Sequence, residues 1–183
     1  MRIALIPDKF KGSLSATQVC DAMESGIRAV YPGAEIRRFA ASDGGDGFLE
    51  AVRAVRPVEV VQVPVPDPVG REISASFLYD PKTGEAFVEM AKASGMELLS
   101  PLERNPMRTD TRGTGQLILR AVQRGARHIF VGLGGSGTND GGCGIASVFG
   151  YRFLDREQQA LLPVGGNLER IARIVPPEDL PLP

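Results

Sequence analysis

His128-Ile129-Phe130-Val131-Gly132-Leu133 runs straight into Gly134-Gly135-Ser136-Gly137-Thr138-Asn139-Asp140-Gly141-Gly142-Cys143-Gly144. The first six residues are a short apolar run, which suits a buried strand. Seven of the thirteen residues from 132 to 144 are glycine, so a loop of unusual backbone freedom follows. In open α/β sheets ligands bind at this edge, after a strand and before a helix. Glycine there lets backbone N–H groups approach phosphate, because no Cβ intervenes. The alternative reading is a tight connection with no ligand. Gly132-Leu133-Gly134-Gly135-Ser136-Gly137 also fits G-x-G-x-x-G, with Asp155 near the place of a ribose-binding acid, which would imply NAD. Thr138-Asn139-Asp140-Gly141-Gly142 is a poor start for the helix such a motif needs, since interior glycine costs about 1 kcal/mol. No G-K-[ST] closes any glycine-rich loop, so a Walker A motif is absent.

Outward from this stretch the chain reads as strand–loop–helix units of an α/β fold, flavodoxin- or Rossmann-like. Residues 2–6 form an apolar run stopped by Pro7, then a loop, then Ser15-Ala16-Thr17-Gln18, which has capping-box spacing with Leu14 and Val19 as a staple. Ala16, Val19, Met23, Ile27 and Val30 give the following helix one apolar face. A strand over 34–40 leads into Ser42-Asp43-Gly44-Gly45-Asp46-Gly47 and a helix over 48–55. Strands at 58–65, 72–79 and 85–91, separated by Pro/Asp/Gly turns, form a β meander. A loop over 104–113, a helix over about 115–124 and the 128–133 strand return to the α/β pattern. The expected organisation is an α/β kinase core from 1–57 and 104–183, incomplete, with 58–103 as a β-rich segment of a second domain. The tail, 176–183, is too rich in proline for helix or central strand.

The 183 residues carry 21 basic and 22 acidic side chains, a formal net charge of −1. A nucleic-acid binder would show a basic excess, and no apolar run is long enough to span a membrane. Two cysteines without CxxC and a single histidine argue against a zinc site and suit a reducing, cytoplasmic setting. Asp43, Asp46 and Asp140 sit in glycine-flanked loops, where carboxylates could hold magnesium or take a hydroxyl proton. Lys11, Arg108 and Arg112 are candidates for anionic groups. Each also has a plain reading as turn chemistry or solvated surface.

Five segments together resemble the glycerate kinase family, the kind without a Walker motif. Pro7-Asp8-Lys9-Phe10-Lys11-Gly12-Ser13-Leu14-Ser15-Ala16 is similar to its P-D-S-F-K-G-S-L-S-A, and Ser42-Asp43-Gly44-Gly45-Asp46-Gly47 to its A-D-G-G-E-G. Gly132 to Gly142 is similar to its G-x-G-G-S-A-T-N-D-G-G. Phe87-Val88-Glu89-Met90-Ala91 and Thr111-Arg112-Gly113-Thr114-Gly115 match in order between them. The resemblance implies two α/β domains, one flavodoxin-like, and ATP- and Mg2+-dependent phosphorylation of D-glycerate. It implies Asp43, Asp140 and Lys11 as catalytic residues, with Asp43 and Asp140 also at the metal. It further implies Asp8, Glu89, Arg112, Thr114, Gly134, Gly135, Ser136, Gly137 and Asn139 as substrate- or nucleotide-binding. Lys9, Asp46, Phe48 and Gly137 depart from the family pattern, which has Ser, Glu, Thr and Ala there. Family members are longer, so this chain is expected to hold their N-terminal part and to be incomplete. A folded fragment that binds nucleotide weakly is the alternative.

Overall fold

The structure, a computed structural model, describes residues 1–10, 13–39 and 41–180. Its first unit is a parallel βαβ: β1 (Arg2–Leu5) crosses through α1 (Ala16–Val30) to β2 (Glu35–Arg38), with Ile3 opposite Ile36. The capping box forms as its spacing requires. Ser15 Oγ accepts from the Gln18 amide at 3.2 Å, and the Gln18 side chain accepts from the Ser15 amide at 2.8 Å. Two N–H groups that the helix cannot satisfy internally are thereby paired.

Helix α2 (Phe48–Val55) leads into the meander of β3 (Glu59–Pro66), β4 (Glu72–Asp80) and β5 (Glu85–Glu89). β5 stops at Glu89, short of the expected 91, because the chain turns into the brief α3 (Ala91–Ser94) and buries Ala93 and Ser94. A 3-10 turn, Met96–Leu98, and an irregular stretch precede α4 (Arg112–Gln123), which starts three residues before the expected 115. β6 (His128–Gly132) then lies parallel to β5, with Phe87 opposite Phe130. The sheet order is β3-β4-β5-β6. The boundary expected at 103/104 is therefore not a sheet boundary: the meander and the 128–132 strand share one set of hydrogen bonds.

Alternation along these strands sends side chains to two faces. On one face Val63, Val65, Ala75, Phe77, Ala86 and Val88 pack against Leu117 and Ala121 of α4. On the other, Leu78 and Phe87 meet Leu49 of α2, and Phe87 stacks on Phe130 at 5.2 Å. Helix α2 thus covers the second face of the sheet.

After the glycine-rich loop, α5 (Cys143–Val148) is a single short helix. β7 (Arg152–Leu154) pairs antiparallel with β8 (Arg173–Val175) in a sheet of its own, with the 3-10 segment Gly165–Arg170 between them. A dinucleotide fold would place that strand beside β6. Asp155 is buried and spends its carboxylate on the Gln159 amide (2.8 Å) and Arg170 (3.4 Å). The NAD alternative is corrected on both counts.

Candidate functional site

The two glycine-rich loops lie against each other, backbone to backbone. A Cβ on Gly132 would stand 2.6 Å from the Gly44 carbonyl oxygen, and one on Gly134 would stand 2.5 Å from Gly45 Cα. A Cβ on Gly135 would collide with the Asp46 carboxylate, and one on Gly137 would fall 2.9 Å from Leu99. Gly135 also has φ +62°, the left-handed region that favours glycine. Close packing between the two loops thus accounts for Gly132, Gly134 and Gly135, and packing on the Met96–Leu99 turn for Gly137. Ser136 is held locally, its Oγ 2.6 Å from Thr138 Oγ1. Gly137 donates to Ser94 O at 2.9 Å, which ties the loop to α3.

Asp140 closes this loop onto two helices. It is 2% exposed. Oδ2 accepts from the Thr111 amide (2.8 Å), the Thr111 hydroxyl (2.8 Å) and the Gly144 amide (2.9 Å), while Oδ1 accepts from the Gly142 amide (3.0 Å). A carboxylate has about four acceptor positions, so this one is filled by the protein. It joins the starts of α4 and α5 and also adds to the burial that pushes the Cys143 thiol up. Oδ2 takes three of the four donors and Oδ1 one, so the carboxylate is first of all a structural tie.

Glu89 is equally enclosed, at 0% exposure. Its carboxylate accepts from the Gly47 amide at 3.2 Å and the Leu49 amide at 3.0 Å, capping α2 from the end of β5. The N-cap residue of α2 is Gly47, which has no side chain to do this. Lys92 Nζ lies 3.6 Å from Glu89 Oε1 and 3.5 Å from Glu50 Oε1. Burial works against the Lys92 charge, but Glu89 and Glu50 outweigh it and hold the ammonium above the ordinary lysine range.

The remaining expected residues separate into buried and open groups. Thr114 is fully buried, its hydroxyl 2.7 Å from Ser94 Oγ. Arg112 donates to the buried Asp110 carboxylate at 2.9–3.0 Å, and these hydrogen bonds hold the guanidinium above its ordinary range. Asp43 is exposed, with Oδ1 accepting from Gly45 at 2.8 Å and Oδ2 outside that bond. Asn139 is exposed. Asp8 accepts the Lys9 amide at 2.7 Å through Oδ1. Lys11 lies outside the described residues.

A cleft of about 460 Å³ opens between the first turn of α1 and helix α2. Asp8, Lys9, Ser15, Thr17, Asp46 and Lys92 line it, with Glu50 beside them. Lys9 pairs with Asp46 across it at 2.5 Å. Lysine and carboxylate side chains are thus gathered around a space of small-ligand size, near two helix N-termini whose dipoles favour anions. Lys92 was not among the residues singled out from sequence. Its signal was its place directly after Phe87–Ala91, one turn from Glu89. Among the described residues no group of three or more His, Cys, Asp or Glu side chains is placed to hold a metal.

These features define an α/β protein with a largely apolar cleft, rimmed by paired charges, over two helix starts and no Walker loop. The chain belongs to the glycerate kinase family, which its sequence matches over residues 3–178. It is 40% identical over 176 residues to a glycerate kinase of Bacillus subtilis (strain 168), covering 95% of this chain and 46% of that one. It is 39% identical over 171 residues to the glycerate 2-kinase of Escherichia coli (strain K12), covering 93% and 45%. A crystal structure from Salmonella typhimurium LT2, assigned to glycerate kinase 2, superposes with TM-score 0.75 at 39% identity, covering 95% of this chain and 46% of that one. The chain spans about half the length of the curated relatives it matches.

Proposed function

We propose that this chain supplies one part of a glycerate kinase, which moves the terminal phosphoryl group of Mg-ATP to a hydroxyl of D-glycerate. The observation that carries this reading is the family match over nearly the whole chain, together with the cleft in which Asp8, Lys9 and Lys92 converge. In the transfer, the glycerate oxygen forms a bond to phosphorus, the bond to the ADP oxygen breaks, and the hydroxyl proton passes to a carboxylate. Asp8 faces the cleft and has one oxygen outside its bond to Lys9, so it suits that last role. Lys9 and Lys92 would meet the carboxylate or phosphate oxygens.

Magnesium commonly takes one or two carboxylates plus phosphate oxygens and water. Asp43, exposed and with Oδ2 outside its bond to Gly45, fits such a single ligand better than Asp140, whose carboxylate already takes four donors. When bound, the ion would offset charge on the transferring phosphoryl group. A cytoplasmic location belongs to the same proposal. Two unbridged cysteines suit a reducing compartment, and no helix among the described residues is long and apolar enough to cross a membrane.

The second reading is a folded but non-catalytic piece that binds Mg-ATP weakly. It is favoured by the half-length coverage, because catalysis draws on a water-excluded, preorganised field on all sides of the phosphates. The test is ADP release from Mg-ATP with and without D-glycerate, run on this chain and on the full product of its gene. Glycerate-dependent release by this chain supports the first reading at full strength. Release only by the full product makes this chain one wall of the site. Silence from both, with folding confirmed, overturns the assignment.

A further inference from the structure

We infer that Glu89 is a positioning residue, setting Lys92 and the first turn of α2 against the cleft so that Lys92 can meet the anionic end of the substrate. The inference deepens the kinase reading and rests on it. Glu89 cannot touch a ligand, being wholly buried, yet its two oxygens reach both components of the cleft wall. One bonds the Gly47 amide and lies 3.6 Å from Lys92 Nζ; the other bonds the Leu49 amide.

A side-chain cap from position 47 itself was not open to the sequence, because Gly47 sits at φ +91°, where Ser or Asp would be strained. Instead the cap comes from a different strand, 42 residues away in sequence. Capping from β5 makes the position of α2 depend on the same carboxylate that holds Lys92. The Lys92 side chain remains 38% exposed and lines the cleft, so its charge is placed without being sealed off. Glu50 is the other carboxylate within reach of Lys92, and it is a solvated one at 63% exposure. Of the two, only Glu89 is rigid enough to fix where the ammonium sits.

The sign of the effect separates placement from charge. Removing the Glu89 charge alone leaves the cleft one unit more positive, which would tighten anion binding. Losing the placement of Lys92 would weaken it. The test compares Glu89→Gln, Lys92→Gln and the double variant of the full gene product. KM for D-glycerate, KM for Mg-ATP and kcat are measured, along with the pH dependence of Lys92 acetylation by mass spectrometry.

The expected result is a KM for D-glycerate raised about ten-fold in each single variant, the scale of one charged contact. The double variant should add little, because the two residues act as a unit. The Lys92 amine should become reactive at lower pH in Glu89→Gln. A purely structural Glu89 would lower the unfolding midpoint and leave the glycerate KM and its coupling to Lys92 unchanged, which overturns the inference. Tighter glycerate binding in Glu89→Gln also overturns it. Wild-type protein inert toward D-glycerate sinks the kinase reading and the substrate half of this inference. Unchanged Lys92 reactivity sinks the positioning half whatever the wild type does. If Glu89→Gln fails to fold, Lys92→Gln, on the surface, still has to raise the glycerate KM, and an unaltered KM there refutes the inference.

Discussion

Asp140 meets four donors with its two oxygens, and that arithmetic assigns it first to folding. Replacing it by alanine strands the amides of Thr111, Gly142 and Gly144 near the starts of two helices. An unpaired buried donor costs roughly 1–3 kcal/mol, so Asp140→Ala should lose about 3 kcal/mol or more in urea unfolding. An unchanged midpoint accompanied by lost turnover would instead return Asp140 to the chemistry. The glycines allow a matched comparison. At Gly134 a Cβ would meet the Gly45 backbone at 2.5 Å, whereas at Gly26, within α1, it would meet nothing within 4 Å. Gly134→Ala should therefore cost roughly 1–3 kcal/mol through overpacking. Gly26→Ala should gain about 0.5–1 kcal/mol through helix propensity and a stiffer unfolded chain. Equal effects at the two sites, measured by the same unfolding assay, would refute the loop-packing account.

Among the elements, α2 is pinned at both ends, by Glu89 at its start and by Arg56 just past its end. Arg56 reaches Asp80 at 3.2 Å and Glu85 at 2.5 Å and lies over the Phe87 ring at 5.2 Å. The Thr83 hydroxyl and then Arg56 hold the Glu85 carboxyl below its ordinary range. At Asp80 burial pushes upward, but hydrogen bonds from Lys82 and Thr83 and the Arg56 charge win, so it too is lowered. A carboxylate depressed in the fold stabilises fully above its unfolded pKa, and that stability is lost as pH falls through the folded one. Stability should thus decline on acidification below the ordinary carboxylate range, and Arg56→Ala should flatten part of that decline. Parallel decline in both proteins, read from urea midpoints across a pH series, would remove Arg56 from the effect.

At the scale of the whole molecule, burial is uneven. Only Val19 and Cys20 of the fifteen α1 residues are buried, and α1 spans a sheet of just two strands. The β3–β6 sheet is covered by α4 on one face and α2 on the other. Native-state hydrogen exchange should accordingly be fastest in β1, β2 and α1 and slowest in β4, β5 and α4; a uniform pattern would contradict this. Local signals were legible in the sequence: the Ser15–Gln18 box, the helix over 48–55 after the Asp43–Gly47 loop, and the turn residues between β3, β4 and β5 each appear where they were expected. The Gly47 and Leu49 partners of Glu89 and the Thr111 partner of Asp140 were not, because they lie 42, 40 and 29 residues away along the chain and no spacing rule reaches that far. Sequence could say that the loops need glycine, but not that each loop is the other's reason. Lys92 escaped notice because a lone lysine reads as solvated surface. The parallel pairing of β5 with β6 has a last consequence, in time. β3, β4 and β5 zip through tight turns, but β6 can join only after the whole α3–α4 crossover has closed. Sheet assembly is therefore ordered, with β6 as the late arrival, joining after the transition state. Val63→Ala in β3 should slow refolding, with φ above about 0.5, and Val131→Ala in β6 should act mainly on unfolding, with φ below about 0.3.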